Sequence, residues 1–308
     1  MKQADTQVGP YAETGRGVPV CPPEVLAGIA DLELVARIVV DGLVSGLHRS
    51  PFHGYSAEFS QYRQYRPGDD LKYVDWKLVA RTDRVYTKQY RETTNMASAI
   101  VIDTSASMSF PEGPASKFRY AVVAASALAH LISGQGDAVG LVADRTFVPP
   151  RAGRQHLRGL LAALSALKVE QEWAPGDVVR RAAERLGRRG LLLVFSDLYD
   201  AEEETFAALR RAARLGHEVV LFQVVSREEI EFSYRRDVEF VDLETGRALA
   251  VDASQARRDY REAFTAFLER WRRRAGSEGF HYTLMVSDVP HDRALRHFLL
   301  ARRHRGPG

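Results

Sequence analysis

The stretch that decides the fold is SAIVIDTSASMSF, residues 98–110. Its apolar run, Ala99 to Ile102, passes without a turn into Asp103, and serines follow at every second position, Ser105 and Ser107. An uninterrupted apolar run bounded by small polar residues predicts a strand over 98–103 that is buried on both faces. Its ending in three short oxygen-bearing side chains suits three chemistries. It can cap the next helix, form a nucleophile loop, or present hard oxygens to an ion.

Strands and helices alternate from there on. A helix over 116–133 leads through a Gly-rich turn to AVGLVA (138–143) and RTFVPP, then to helices over about 154–166 and 177–187. GLLLVFSD (190–197) reads as a second buried strand. A helix over 202–214 ends before Gly216, a C-cap residue, and HEVVLFQVV (217–225) is the next strand. A helix over 253–275, a strand over 281–287 and a helix over 290–302 complete the series. Continuous apolar strands separated by helices predict an α/β fold with a mostly parallel, doubly wound sheet covered on both faces. VEFVDLETGRALAVD (238–252) interrupts the alternation as a β-hairpin within an insertion near 228–252.

The N-terminal part reads differently. Pro22 and Pro23 prepare a helix start, and Leu26, Ile29, Leu32, Leu34, Ile38, Leu43 and Leu47 recur at roughly helical spacing. One helix is predicted there, ending near His48. Residues 54–92 alternate aromatic and polar side chains around the turn Pro67-Gly68-Asp69-Asp70, as a small strand-rich subdomain does. The predicted organisation is a tail (1–22), an N-terminal helix with a β-rich subdomain (23–95), the main α/β domain (96–302) and a short tail (303–308).

Composition narrows the function classes. The chain has 308 residues, 45 % apolar and 27 % charged, with a formal net charge of +3. That charge is too small to point to nucleic acid. YRQYR and KQYRE mix tyrosine with arginine as single-strand binders do, but strand alternation accounts for them and acidic neighbours would repel phosphate. His48 and His53 lack the further ligands a zinc site needs. The single cysteine, Cys21, excludes an internal disulfide. No run reaches the roughly 18–20 apolar residues of a spanning helix, and the start lacks a signal-peptide core. A cytoplasmic protein with no membrane span is the expectation.

In a doubly wound sheet, ligands gather at the carboxyl ends of strands where the order reverses. The strands ending in Asp103 and Asp197 are expected to be neighbours there. A phosphotransferase loop of the dehalogenase type wants a second aspartate where Ser105 stands, and a serine triad wants glycines around the serine and a placed base. Neither is evident. Capping and ion binding stay open on spacing alone.

DTSAS (103–107) resembles the Asp-x-Ser-x-Ser signature of the metal-ion-dependent adhesion site of von Willebrand factor A (vWA) domains. The longer EFSQYRQYRPGDDLKYVDWKLVARTDRVYTKQYRE (58–92), with FVDLETG (240–246), is similar to the hallmark of a bacterial family of vWA-like proteins, domain of unknown function fifty-eight. The resemblance implies a vWA-like fold and a magnesium (or manganese or calcium) site formed by Asp103, Ser105, Ser107 and Asp197. Where many vWA domains add a threonine, this chain has Gly176 and then Asp177, so Asp177 or water would complete the set. The implied partner is a MoxR-type AAA+ ATPase, its client, or both, and the implied role is a non-enzymatic adaptor. Two rivals remain: a metal-dependent phosphoester hydrolase using Asp177 or Asp200 as base, and a scaffold with a vestigial site. Arg63, Arg66, Asp69, Asp70, Asp75, Trp76 and Arg81 form a mixed cluster that reads either as partner-docking surface or as an ion-pair network.

Overall fold

The computed structural model describes residues 21–45, 57–65, 74, 76–82, 85–92, 96–113, 115–170, 173–187, 189–234, 237–241, 243 and 248–304. Of the predicted tails, 1–22 and 303–308, residues 1–20 and 305–308 lie outside these residues, as do Arg66, Asp69, Asp70 and Asp75, while Arg303 and His304 end the last helix.

In chain order the elements begin with α1 (Pro23–Ala27), α2 (Leu32–Ser45), β1 (Ala57–Gln64), α3 (Trp76–Thr82) and β2 (Tyr86–Glu92). The main body follows as β3 (Ala97–Ile102), α4 (Lys117–Gly134), β4 (Ala138–Val142), β5 (Phe147–Arg151), α5 (Arg154–Ala166) and α6 (Pro175–Arg185). It continues with β6 (Leu191–Ser196), α7 (Glu202–Arg214), β7 (Glu218–Val225), α8 (Arg227–Glu231), β8 (Asp237–Val241) and β9 (Ala248–Asp252). Last come α9 (Ala253–Ser277), β10 (His281–Val286) and α10 (His291–His304).

Six strands form one sheet in the order β10-β7-β6-β3-β4-β5. Every pairing is parallel except β4 with β5. The fold is therefore α/β, with a mostly parallel sheet and helices on both faces. Strand side chains alternate between faces, and this divides the core in two. Ile100, Ile102, Leu193, Phe195 and Phe222 point to one side, against α2, α4, α5 and α10. Ala99, Val101, Leu192, Val194 and Leu221 point to the other, where Val178 of α6, Phe206 of α7 and Trp271 of α9 cover them. Phe195 and Phe222 stack with centroids 4.5 Å apart.

The antiparallel edge is set by sequence. Pro149 and Pro150 lie in β5, and proline cannot donate to a ladder, so such a strand belongs at an edge. Gly140 of β4 lets β5 approach: a Cβ there would lie 2.6 Å from the Val148 carbonyl oxygen and 2.7 Å from the Pro150 nitrogen. Gly140→Ala is expected to cost about 1–3 kcal/mol. Chemical denaturation within about 0.5 kcal/mol of wild type would contradict that close approach.

The single N-terminal helix expected up to His48 is broken in two. Gly28 stands at the C-cap of α1, and Asp31 Oδ1 accepts hydrogen bonds from the Glu33 and Leu34 nitrogens at 2.9 and 3.1 Å to start α2. A poor helix former followed by an N-cap residue outweighs the apolar periodicity that runs through the break. α2 lies against α4, α5 and α10. That covering layer explains why α4 is apolar almost all round, from Tyr120 to Ala129. β1 pairs with β2, and β8 with β9, each as a separate antiparallel pair. Among the described residues no helix is long and apolar enough to cross a membrane.

Candidate functional site

β3 and β6 are adjacent and parallel at the centre of the sheet, with Ile102 opposite Phe195. Their carboxyl ends therefore deliver Asp103 and Asp197 to the same edge. The order reverses here, since β3 is followed by β4 on one side while β6 continues to β7 on the other. The Asp103 nitrogen donates to the Phe195 carbonyl at 2.9 Å, which extends the pairing by one residue and fixes the aspartate.

Asp103 is almost wholly buried. Its Oδ1 accepts from the Ser105 nitrogen at 2.8 Å, closing the turn, and its Oδ2 accepts from the Ser196 hydroxyl. The Ser105 and Ser107 hydroxyl oxygens lie 3.0 Å apart. Met108, with no exposed surface, anchors a 3-10 turn over Ala106–Ser109 in the core, and the Lys117 nitrogen donates to Phe110 O at 3.0 Å. The loop is thus pinned at both ends.

Asp197 is committed elsewhere. Its Oδ2 accepts from Lys117 Nζ at 2.8 Å, and the same ammonium donates to Glu229 Oε1 at 2.6 Å. The Tyr199 ring lies over this ammonium, 4.7 Å from Nζ to centroid. The second carboxyl oxygen of Glu229, Oε2, accepts from the Ser226 nitrogen, while Ser226 Oγ accepts from the Glu229 nitrogen, a reciprocal capping box at the start of α8. Gln223 Nε2 donates to the Asp197 carbonyl at 2.9 Å and accepts from the Tyr282 hydroxyl through Oε1.

The backbone around these groups is unusual. Leu198, Ala201 and Phe232 have φ of 64°, 43° and 49°. Left-handed non-glycine residues are costly, and they tend to persist where a site over-determines them.

The electrostatics follow from burial. Two carboxylates, Asp197 and Glu229, hold the ammonium of Lys117, and Asp103 stands beside Asp197 with no cation of its own among the described residues. Burial first, and then the neighbouring Asp197 charge, push the Asp103 carboxyl up to about 7. For Lys117, burial opposes the charge, but Asp197 and Glu229 outweigh it and hold the ammonium protonated. Burial, followed by the Glu229 and Asp197 charges, raises the Tyr199 hydroxyl.

The residues fit a divalent ion in one half of the site. Two hydroxyl oxygens 3.0 Å apart match the edge of an octahedron whose metal–oxygen bonds are about 2.1 Å. Asp103 adds a carboxylate that, among the described residues, has no ion-pair partner. Among the described residues no three acidic, histidine or cysteine side chains converge on a point. A hydroxyl-rich set with few charges suits a magnesium-like ion that keeps several waters.

The other described residues named from the sequence make contacts of their own. Asp177, in the first turn of α6, is exposed and accepts from Arg180 at 3.1 Å, lining a surface cleft of about 330 Å³ between α6 and α7. Gly176 packs against α7, where a Cβ would meet the Glu204 carbonyl oxygen at 3.4 Å. Arg63 pairs with Thr87 in the β1–β2 register. Trp76 opens α3 with 62 % of its surface exposed, and Arg81 of the same helix is also exposed. Lys117, Ser196, Tyr199 and Glu229 belong to the site but escape the sequence reading. The Ser-x-x-Glu spacing of Ser226 and Glu229 is a legible capping signal, though nothing local links it to Lys117.

A mostly parallel α/β sheet with an Asp-x-Ser-x-Ser loop at its reversal point defines the class. The chain belongs to the family described as "Protein of unknown function DUF58", whose profile matches residues 61–272. It is 31 % identical over 246 residues to "Uncharacterized protein Rv1480" of Mycobacterium tuberculosis, covering 77 % of this chain and 76 % of the relative. Among solved structures it is similar to BatB from Bacteroides thetaiotaomicron, with TM-score 0.44 and 16 % identity over 68 % of this chain and all of that one. It is also similar to the structure titled SpRpn10 VWA domain, with TM-score 0.38 and 14 % identity over 65 % of this chain and 93 % of that one.

Proposed function

We propose that this chain is a non-enzymatic, vWA-like binding module whose contact point for a partner protein is the loop edge at Asp103. In this reading Asp103, Ser105 and Ser107 hold a magnesium ion, or manganese or calcium in its place. Asp197 lies beside it rather than on it, held by Lys117. The ion, when bound, offers an open ligand position to a carboxylate of the partner. The observation that carries the reading is the pair of serine hydroxyls set 3.0 Å apart beside a buried aspartate that lacks a cationic partner among the described residues. Few charges around the ion leave it electron-poor, which favours capture of an external carboxylate.

The family resemblance supports a MoxR-type AAA+ ATPase, or its client, as that partner, and a cytoplasmic adaptor role in assembly or maturation. The exposed Trp76 on α3 would add a second, apolar anchor for such a partner. The test uses a purified MoxR-type AAA+ ATPase, captured on the immobilised chain. Capture is expected in magnesium and is expected to fall at least about tenfold in EDTA or with Asp103→Ala. Equal capture under all three conditions would remove the reading.

A further inference from the structure

Lysine is a costly residue at position 117. It is the first residue of α4, where the helix dipole favours anions, and its side chain has no exposed surface. A buried ammonium has lost its hydration and survives only with strong partners. Lys117 has two, Asp197 from the loop after β6 and Glu229 from α8, which follows β7, together with the Tyr199 ring. Two carboxylates from separate elements converging on one buried cation is the layout of an ion site, and here a side chain fills it. Asp103, one strand away, accepts from the Ser105 backbone and side chain and from the Ser196 hydroxyl, and has no cationic partner among the described residues.

We propose that Lys117 is an internal counter-cation that sets the strength of the divalent-ion site. By holding Asp197 against Glu229 it confines an incoming ion to the Asp103–Ser105–Ser107 half and repels it electrostatically. The ion then binds weakly to the chain alone and firmly once a partner carboxylate adds its charge. Ion and partner binding are thereby coupled, each strengthening the other by the same factor. This inference rests on the proposed ion site.

Calorimetric titration of manganese into the full chain tests it, with three variants. Lys117→Met removes the ammonium. Lys117→Met with Glu229→Gln removes one charge of each sign, so Asp197 is freed while the net charge stays at the wild-type value. Glu229→Gln alone leaves Lys117 on Asp197. The first two are expected to bind manganese at least about tenfold more tightly than wild type: in the single variant a unit positive charge has left the ion's surroundings, and in the double variant Asp197, no longer held by the ammonium, can turn its charge to the ion. They should also gain more thermal stability on saturation with the ion. Glu229→Gln alone should bind no more tightly than wild type. The double variant carries the result if Lys117→Met alone fails to fold. Equal affinities in wild type and the double variant would overturn the role of Lys117 while leaving the ion site standing. No binding by any of the four proteins would overturn both.

Discussion

Lys117→Met, measured by chemical denaturation at neutral pH without divalent ions, is expected to lose about 3–5 kcal/mol of stability. The substitution keeps the volume and removes the charge, so packing alone predicts a small effect. The loss comes from leaving Asp197 and Glu229 buried with no cation between them. Removing a single member of a buried ionic cluster costs far more than the cluster contributes as a whole, because the remaining charges keep their desolvation penalty. Adding Glu229→Gln should therefore restore part of the loss rather than add to it. The linkage sign agrees. Lys117 holds its proton more tightly in the folded chain than in the unfolded one, so its contribution is complete below the ordinary lysine range and fades only as pH rises beyond it. A Lys117→Met protein within about 1 kcal/mol of wild type would show that the ammonium is not bound as described.

This lysine also shows where reading the sequence stops. SKFRYAVV reads as the start of a helix over 116–133, and that is correct locally, with Ser116 as the N-cap whose Oγ accepts from the Arg119 nitrogen. Nothing local says that the next residue points inward. Its partners stand 80 and 112 residues away, and only the pairing of β3 with β6 and of β6 with β7 brings them together. Asp103, Ser105 and Ser107 are legible because a chemical pattern and the end of an apolar strand coincide in one short stretch. The adjacency of the strands ending at Asp103 and Asp197 is legible because doubly wound sheets admit few orders. The state of Asp197 is not, because it depends on what else is buried there. The same limit explains the secondary structure. Long periodic helices such as α5 and α7 are read to the residue, whereas α3, of seven residues, is too short for periodicity to register. At Gly28 and Asp31 the breaking signals are legible but local, and the apolar rhythm running through them hides the break that they make.

The pH dependence of the ion-free protein tests the other half of the site. Burial and the charge of Asp197 push the Asp103 carboxyl up to about 7, against an ordinary value near 4 in the unfolded chain. Between those two values the folded chain holds a proton that the unfolded chain has released. Stability from this group must then fall as pH rises through the window, by at most about 1.4 kcal/mol per unit. Other groups titrate there too, so the informative quantity is the difference between wild type and Asp103→Asn, which cannot ionise. In EDTA, the wild type is expected to lose stability relative to Asp103→Asn from about pH 5 to pH 8, by roughly 2–4 kcal/mol in all. Each kcal/mol corresponds to about 2–4 °C in Tm for chains somewhat shorter than this one, so scanning calorimetry resolves the effect. Saturating magnesium should reverse the trend above pH 7. The wild type then gains from binding the ion to its ionised carboxylate, and the asparagine variant does not. Parallel stability profiles for the two proteins in EDTA would mean that Asp103 is ionised throughout. In that case the excess negative charge inferred at this edge of the sheet would have a counter-charge other than a bound divalent ion.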